Sequence, residues 1–245
     1  MKHICILFLF SFLVSCSDQH EPGHWSYSGE EGPEHWAALS AEYELCSEGM
    51  VQSPIDIAGW VDEGLTPFEL DYLDGGYEVI NNGHTIQVNF QSGSTLMIED
   101  QLFELKQFHF HTPSENTVDG ASFPLEMHLV HASEQGDLAV LGVLFESGDQ
   151  NQALERFWSD LPATEGDTAG ILPKMSAEEL LPVSSDYFRF DGSLTTPPCS
   201  EGVLWMVLSE PATISEDQVE SIMTILGHSN NRPVQPLNGR LISKK

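Results

Sequence analysis

The chain has 245 residues, 40% of them hydrophobic, enough for one large β-rich domain or two small ones around a sizeable core. Its net charge of −29, with only nine Lys and Arg, excludes nucleic-acid binding, which needs basic surface. The acidity is dispersed, so it reads as a solvated, self-repelling surface rather than a device for collecting cations.

In chain order, Met1-Lys2-His3 precedes an apolar run over residues 4–14, too short to span a bilayer but suited to the apolar core of an export signal. Leu13-Val14-Ser15-Cys16 resembles a bacterial lipoprotein processing site. That reading gives a signal peptide over residues 1–15, a lipid anchor on Cys16 and a polar tether over 16–23. The alternative is ordinary cleavage a few residues later and a soluble secreted protein. With Cys5 and Cys16 in the exported segment, Cys46 and Cys199 remain, an even pair in an oxidising compartment. They are expected to form a disulfide; the other reading is two buried free thiols.

Residues 24–245 carry no repeat, low-complexity tract or linker, and read as one domain around a large, mostly antiparallel sheet with few helices. Pro33-Glu34-His35-Trp36 predicts a turn or short helix, and residues 52–57 a loop entering a strand. Residues 77–90 hold a turn at Asn81-Asn82-Gly83 and then an alternating strand. Residues 94–99 and 101–106 flank a turn at Asp100, and residues 138–145 are continuously apolar, as in a strand covered on both faces. Residues 151–159 are a candidate helix. Residues 215–226 are a stronger one: Ser215 and Gln218 form a capping box, Val219, Ile222, Met223 and Leu226 an apolar stripe, and Gly227 a stop.

The chemistry concentrates at Gln107-Phe108-His109-Phe110-His111 and Glu126-Met127-His128-Leu129-Val130. In a strand, successive side chains alternate faces, so Gln107, His109 and His111 share one face and the two phenylalanines the other. The two imidazoles lie roughly 6.5–7 Å apart along the strand, within reach of one metal ion. If the second run is a neighbouring strand, His128 can join them. Three neutral nitrogens leave the fourth position of a tetrahedral Zn²⁺ open, the catalytic arrangement. Gln107 and Glu126 could accept the second N–H of a ligating histidine. Without the third histidine, the same spacing would describe two half-exposed side chains. Ser193-Leu194-Thr195-Thr196-Pro197-Pro198 reads in isolation as an ordinary turn, and Glu115 as a surface acid. His84 has an imidazole suited to proton transfer near neutral pH.

Taken together, the sequence resembles the α-class carbonic anhydrases, bacterial and exported members above all, across essentially all of residues 24–245. The matching stretches, in the family's order, are His24-Trp25-Ser26-Tyr27, Gln52-Ser53-Pro54-Ile55, Asn82-Gly83-His84, Gln107-Phe108-His109-Phe110-His111, Ser114-Glu115, Glu126-Met127-His128-Leu129-Val130-His131, Ser193-Leu194-Thr195-Thr196-Pro197-Pro198 and Asn231-Arg232-Pro233. The resemblance implies a sheet of roughly ten strands with short peripheral helices, and reversible hydration of carbon dioxide to bicarbonate by hydroxide on one zinc ion. It implies His109, His111 and His128 as zinc ligands, with Gln107 and Glu126 behind them. Thr195 would orient the hydroxide through Glu115, and its backbone N–H, beside Thr196, would meet bicarbonate. Val130, Val140, Leu194, Val203 and Trp205 would form the apolar wall that receives carbon dioxide. Tyr27, Asn82 and Gln87 would line a water chain to His84, the proton shuttle. Cys46 and Cys199 match the disulfide of bacterial and secreted members, and bacterial relatives suggest a homodimer. Thr112 and Asn116 stand where the family often has Trp and His, as in bacterial members. The competing readings are a binding module that has lost catalysis, a zinc-scavenging surface lipoprotein and a zinc esterase.

Overall fold

The computed structural model describes residues 23–245. The expected signal peptide, Cys16 and all but the last residue of the tether lie outside the described residues. The strands are β1 (Asp56–Ile57), β2 (Val61–Asp62), β3 (Glu69–Asp71), β4 (Gly76–Asn81), β5 (Ile86–Phe90), β6 (Thr95–Ile98), β7 (Gln101–His111), β8 (Thr117–Val118), β9 (Leu125–Ala132), β10 (Leu138–Ser147), β11 (Thr168–Met175), β12 (Tyr187–Ser193), β13 (Glu201–Leu208), β14 (Ala212–Ile214) and β15 (Ser243–Lys244). The α-helices are α1 (Trp36–Leu39), α2 (Leu45–Glu48), α3 (Glu155–Trp158) and α4 (Glu216–Leu226).

One thirteen-stranded sheet dominates, with a ten-strand path β11-β4-β5-β7-β9-β10-β13-β12-β15-β2 and β3, β6 and β14 attached at the side. Pairing is mostly antiparallel, as expected, but β10 runs parallel to β13 and β14, and β15 parallel to β2, so the sheet is mixed. A parallel neighbour needs a long crossover. The segment between β10 and β13, which carries α3, β11 and β12, supplies it.

The strand alternation sorts the sheet into two faces. Phe108 and Phe110 enter the larger core with Leu129, Leu141, Phe157, Trp158 and Ile222. Val140, Leu144, Phe188, Phe190, Val203 and Trp205 form a second cluster, with Val130 packed against it. Strand β10 feeds both, which is why its sequence is apolar without alternation.

Helix α4 has the expected capping box at Ser215 and ends at Gly227, whose φ of 74° is the left-handed conformation glycine adopts freely. Its inward stripe differs in one place: Ile225, not Met223, joins Val219, Ile222 and Leu226 against the core. Helix α3 covers only the end of residues 151–159, because the Asn151 side chain accepts from the N–H groups of Ala153 and Leu154, both at 3.1 Å, and makes a turn of the first part.

Candidate metal centre

Register brings the histidines together. Strands β7 and β9 pair so that His109 faces His128, His111 faces Glu126 and Gln107 faces Val130. One ring nitrogen from each of His109, His111 and His128 lies within 4.8 Å of the others. Ring centroids are 5.0 Å apart for His109 and His111, 5.3 Å for His109 and His128, and 4.5 Å for His111 and His128. His111 and His128 are buried, whereas His109 keeps some contact with solvent.

Two of the rings are held from behind by hydrogen-bond acceptors, and the third backs onto a carboxylate. Gln107 Oε1 accepts from His109 Nδ1 at 2.9 Å, and the Asn230 carbonyl accepts from His111 Nδ1 at 2.7 Å. Those bonds leave Nε2 of both rings facing the cluster. Glu126 Oε1 lies 3.0 Å from His128 Nε2, off hydrogen-bond direction, so His128 turns Nδ1 inward. His111 Nε2 and Glu115 Oε2 are buried and have no hydrogen-bond partner. Buried polar atoms are rarely left so, and a divalent cation among the three rings would satisfy the imidazole nitrogen. The donor set, three neutral imidazoles converging from adjacent strands, fits Zn²⁺.

Electrostatics favours neutral rings. Burial pushes His109 and His128 well below the ordinary imidazole range and His111 below it, and charge on His111 pushes both of the others further. Two carboxylates sit behind. Glu126 accepts from the N–H groups of Glu115 and Asn116, both at 2.8 Å, and from Asn116 Nδ2 at 2.7 Å. Asn116 therefore does structural work where the family often has His. Gly142, opposite His128 in the register, leaves room here: a Cβ on it would meet Glu126 Oε1 at 3.3 Å and Val207 Cγ2 at 3.1 Å. Glu115 accepts from the backbone N–H of Arg232 at 2.8 Å, and its other oxygen lies 3.5 Å from His111 Nε2. Burial lifts its pKa well above the carboxylate range, while Arg232 N–H and the Thr195 hydroxyl pull it down. No donor reaches Glu115 Oε2 in hydrogen-bond geometry.

Of the remaining predicted residues, Trp205 and Gln87 are placed directly against a histidine of the cluster. Val130, Val140 and Trp205 occupy one register row across β9, β10 and β13, and Val203 and Leu194 join the same apolar cluster. The Trp205 ring stands edge-on to His128 at 4.8 Å, and its Nε1 donates to the Ser193 carbonyl at 3.0 Å. Thr195 is buried and Thr196 half-buried, in a loop closed by Leu194 N to Ser200 O at 3.0 Å and Cys199 N to Thr196 O at 2.8 Å. Gln87 sits opposite His109, its amide donating to Asn89. Asn82 Oδ1 accepts from the N–H groups of His84 and Thr85 at 3.0 and 2.9 Å. Tyr27 is raised well above the usual phenol range, by burial first and then by Glu115. His84 is half-buried and stacks on Trp25, centroids 3.8 Å apart and planes 8° from parallel.

Cys46 and Cys199 form the expected disulfide. Among the described residues no helix is long and apolar enough to cross a membrane. Two contributors went unread in the sequence. Asn230, besides holding His111, accepts from Thr112 N at 2.8 Å, while the Thr112 hydroxyl donates to the Pro124 carbonyl at 3.0 Å. Arg232, part of a matched stretch but given no role, is buried, with NH1 donating to Gln52 and Ser53 and NH2 to the Cys46 carbonyl at 2.9 Å. Burial draws its pKa down to about 10. A charged side chain inside a matched stretch, in a chain with so few cations, was the available signal.

Residues 31–245 match the family described as eukaryotic-type carbonic anhydrase. The chain is 43% identical over 239 residues to a carbonic anhydrase of Pectobacterium atrosepticum, covering 98% of this chain and 97% of that protein. It is 49% identical over 221 residues to one from Klebsiella pneumoniae, covering 89% and 90%. The solved α-carbonic anhydrase of Thermovibrio ammonificans, in complex with sulfanilamide, superposes with a TM-score of 0.89 at 47% identity, over 90% of this chain and 99% of that one.

Proposed function

The chain belongs to the eukaryotic-type, or α, carbonic anhydrase family, and we propose that it reversibly hydrates carbon dioxide to bicarbonate and a proton at the three-histidine centre, with one Zn²⁺ per chain as cofactor. The observation that carries this reading is the convergence of three separately oriented imidazole nitrogens beside an apolar wall. His109, His111 and His128 would hold the ion. Bound there, zinc supplies Lewis acidity that lets water ionise near neutral pH, an established property of this family.

The chain's own residues account for the rest. Val130, Val140, Leu194, Val203 and Trp205 offer carbon dioxide an apolar site, which suits a molecule without net dipole. Glu115, tied to Arg232 N–H, would accept from the Thr195 hydroxyl and so turn that oxygen's lone pair toward the reacting water. This assignment needs Glu115 ionised, and a divalent cation among the neighbouring rings favours the ionised carboxylate against its burial. The Thr195 backbone N–H, with Thr196 beside it, receives a bicarbonate oxygen. Tyr27, Asn82 and Gln87 order the water that passes the released proton to His84. His84 then gives it to buffer, general acid–base work at the mouth of the site. The disulfide supports an exported protein, since such bonds persist in oxidising compartments.

Stopped-flow carbon dioxide hydration by the zinc-loaded protein tests the reading. Turnover that a chelator abolishes and zinc restores is the expected result. A zinc-replete, disulfide-intact protein that binds sulfanilamide yet leaves carbon dioxide untouched would overturn it.

A further inference from the structure

We propose that His228 is a second proton acceptor at the mouth of the centre, working beside His84, so that protons leave through two imidazoles rather than one. The inference rests on the hydration reading above and names a residue that reading does not use.

His228 follows the Gly227 cap of α4 and precedes Asn230. That segment is tied to both ends of the proton route. Asn230 Nδ2 donates to the His84 carbonyl at 3.0 Å, and the Asn230 carbonyl holds His111 Nδ1 at 2.7 Å. The aromatic residues tie it again. Trp25 stacks on His84 at 3.8 Å and stands edge-on to Tyr27 at 5.4 Å, and the Tyr27 ring lies 6.0 Å from that of His228, tilted by 32°. His84 and His228 therefore flank one aromatic cluster, and Tyr27, which feels the charge of Glu115, is the member next to His228.

The chemistry of the His228 ring suits the role. Its Nδ1 lies 3.0 Å from the Ser229 carbonyl, so the neutral ring donates from Nδ1 and keeps the Nε2 lone pair for an incoming proton. A proton arriving through solvent adds at Nε2 to give the imidazolium, and a buffer base removes one proton to restore the neutral ring. His84 is less free. One face of it is covered by Trp25, and burial lowers its proton affinity, as do His24 and His228, while Glu165 opposes them. His24 in turn meets Glu31 at 3.2 Å. Charge on His228 disfavours charge on His84.

Stopped-flow hydration by zinc-loaded protein in dilute buffer tests this with His84→Ala, His228→Ala, the double variant and His228→Gln. Proton release follows bicarbonate departure, so it enters kcat and not kcat/KM. Adding His228→Ala to His84→Ala should lower kcat by a further factor of roughly ten, a modest share of what general acid–base transfer contributes, with kcat/KM held and imidazole restoring turnover. His228→Gln should behave as His228→Ala. A double variant no slower than His84→Ala, or a glutamine variant with full kcat, would overturn the inference while leaving the hydration reading intact. A parent protein inert toward carbon dioxide would instead remove the reading beneath it.

Discussion

Acidification probes a buried imidazole that the proposed reaction does not use. His131 projects from β9 into the larger core, where the Tyr72 hydroxyl meets its Nε2 at 2.6 Å and the Ala139 carbonyl lies 3.3 Å from Nδ1. Burial lowers its pKa from 6.5 to about 4, against weaker upward pulls from the backbone of Ala139 and Leu129. In the unfolded chain the ring regains its ordinary value. Between those two values the unfolded chain binds the extra proton, so unfolding is favoured by acid. The stabilisation is complete above pH 6.5 and is lost as pH falls toward about 4. Each tenfold difference in proton affinity between the folded and unfolded chain is worth about 1.4 kcal/mol, so His131 alone removes about 3 kcal/mol across that window. His131→Gln keeps hydrogen-bonding capacity and cannot take the proton. Urea unfolding of both proteins at steps from pH 7 to 4, with zinc chelated so that the three-histidine centre titrates alike in each, isolates this residue. The parent should lose stability faster as the medium acidifies, by up to about 1.4 kcal/mol for each step of one in pH, one proton's worth. Parallel curves would refute the reasoning from burial.

Other outcomes follow from the site. Gln107→Ala removes the acceptor on His109 Nδ1 and should weaken zinc affinity by roughly 10–100-fold, read by competition with a zinc chelator. His111→Ala should lose zinc on dialysis and hydration with it, checked by metal analysis and stopped flow. His84→Ala should slow turnover in dilute buffer, with recovery on adding imidazole; no recovery would send the protons by another route. The double replacement Cys46→Ser with Cys199→Ser opens a link spanning 153 residues and should cost about 2–5 kcal/mol in urea unfolding of the oxidised proteins.

What the sequence made legible was local. Alternation in β7 and β9 is a period-two signal, and it assigns each side chain of the two histidine strands to its face without any knowledge of their register. The capping box and glycine stop of α4 are equally short-range, and both bounds agree with the structure. Strand β12 carries the same signal at Phe188-Arg189-Phe190-Asp191, whereas β11 and β13 do not alternate. Phe188, Phe190, Val203, Trp205 and Val207 are buried by neighbours distant in sequence, and β10 and β13 pair only after a long crossover. Val203 and Trp205 were reached through family resemblance, not through pattern. Asn230 carries no local signal because its contacts, to His111 and to Thr112, span 119 and 118 residues and use its backbone carbonyl as well as its side chain. A backbone carbonyl carries no residue signature at all.

Those long contacts also explain why the disulfide sits where it does. The Cys199 carbonyl accepts from Gln52 Nε2 at 3.0 Å, Gln52 Oε1 accepts from Arg232 at 2.9 Å, and Arg232 N–H reaches Glu115 at 2.8 Å. From the other half of the bridge, the Cys46 carbonyl accepts from the same guanidinium. Cys199 N also closes the loop that carries Thr195. The bridge therefore stands a few hydrogen bonds from both partners of the proposed Thr195–Glu115 pair. A buried arginine costs desolvation, and here its guanidinium is met by the Cys46 carbonyl, by Gln52, which itself donates to the Cys199 carbonyl, by the Ser53 carbonyl, and by the Trp36 ring at 5.7 Å, which packs with both cysteines. Pinning Cys46 to Cys199 thus constrains more than the unfolded chain. It places the Cys46 carbonyl to accept from the Arg232 guanidinium, and the backbone N–H of the same arginine donates to Glu115, the proposed partner of Thr195.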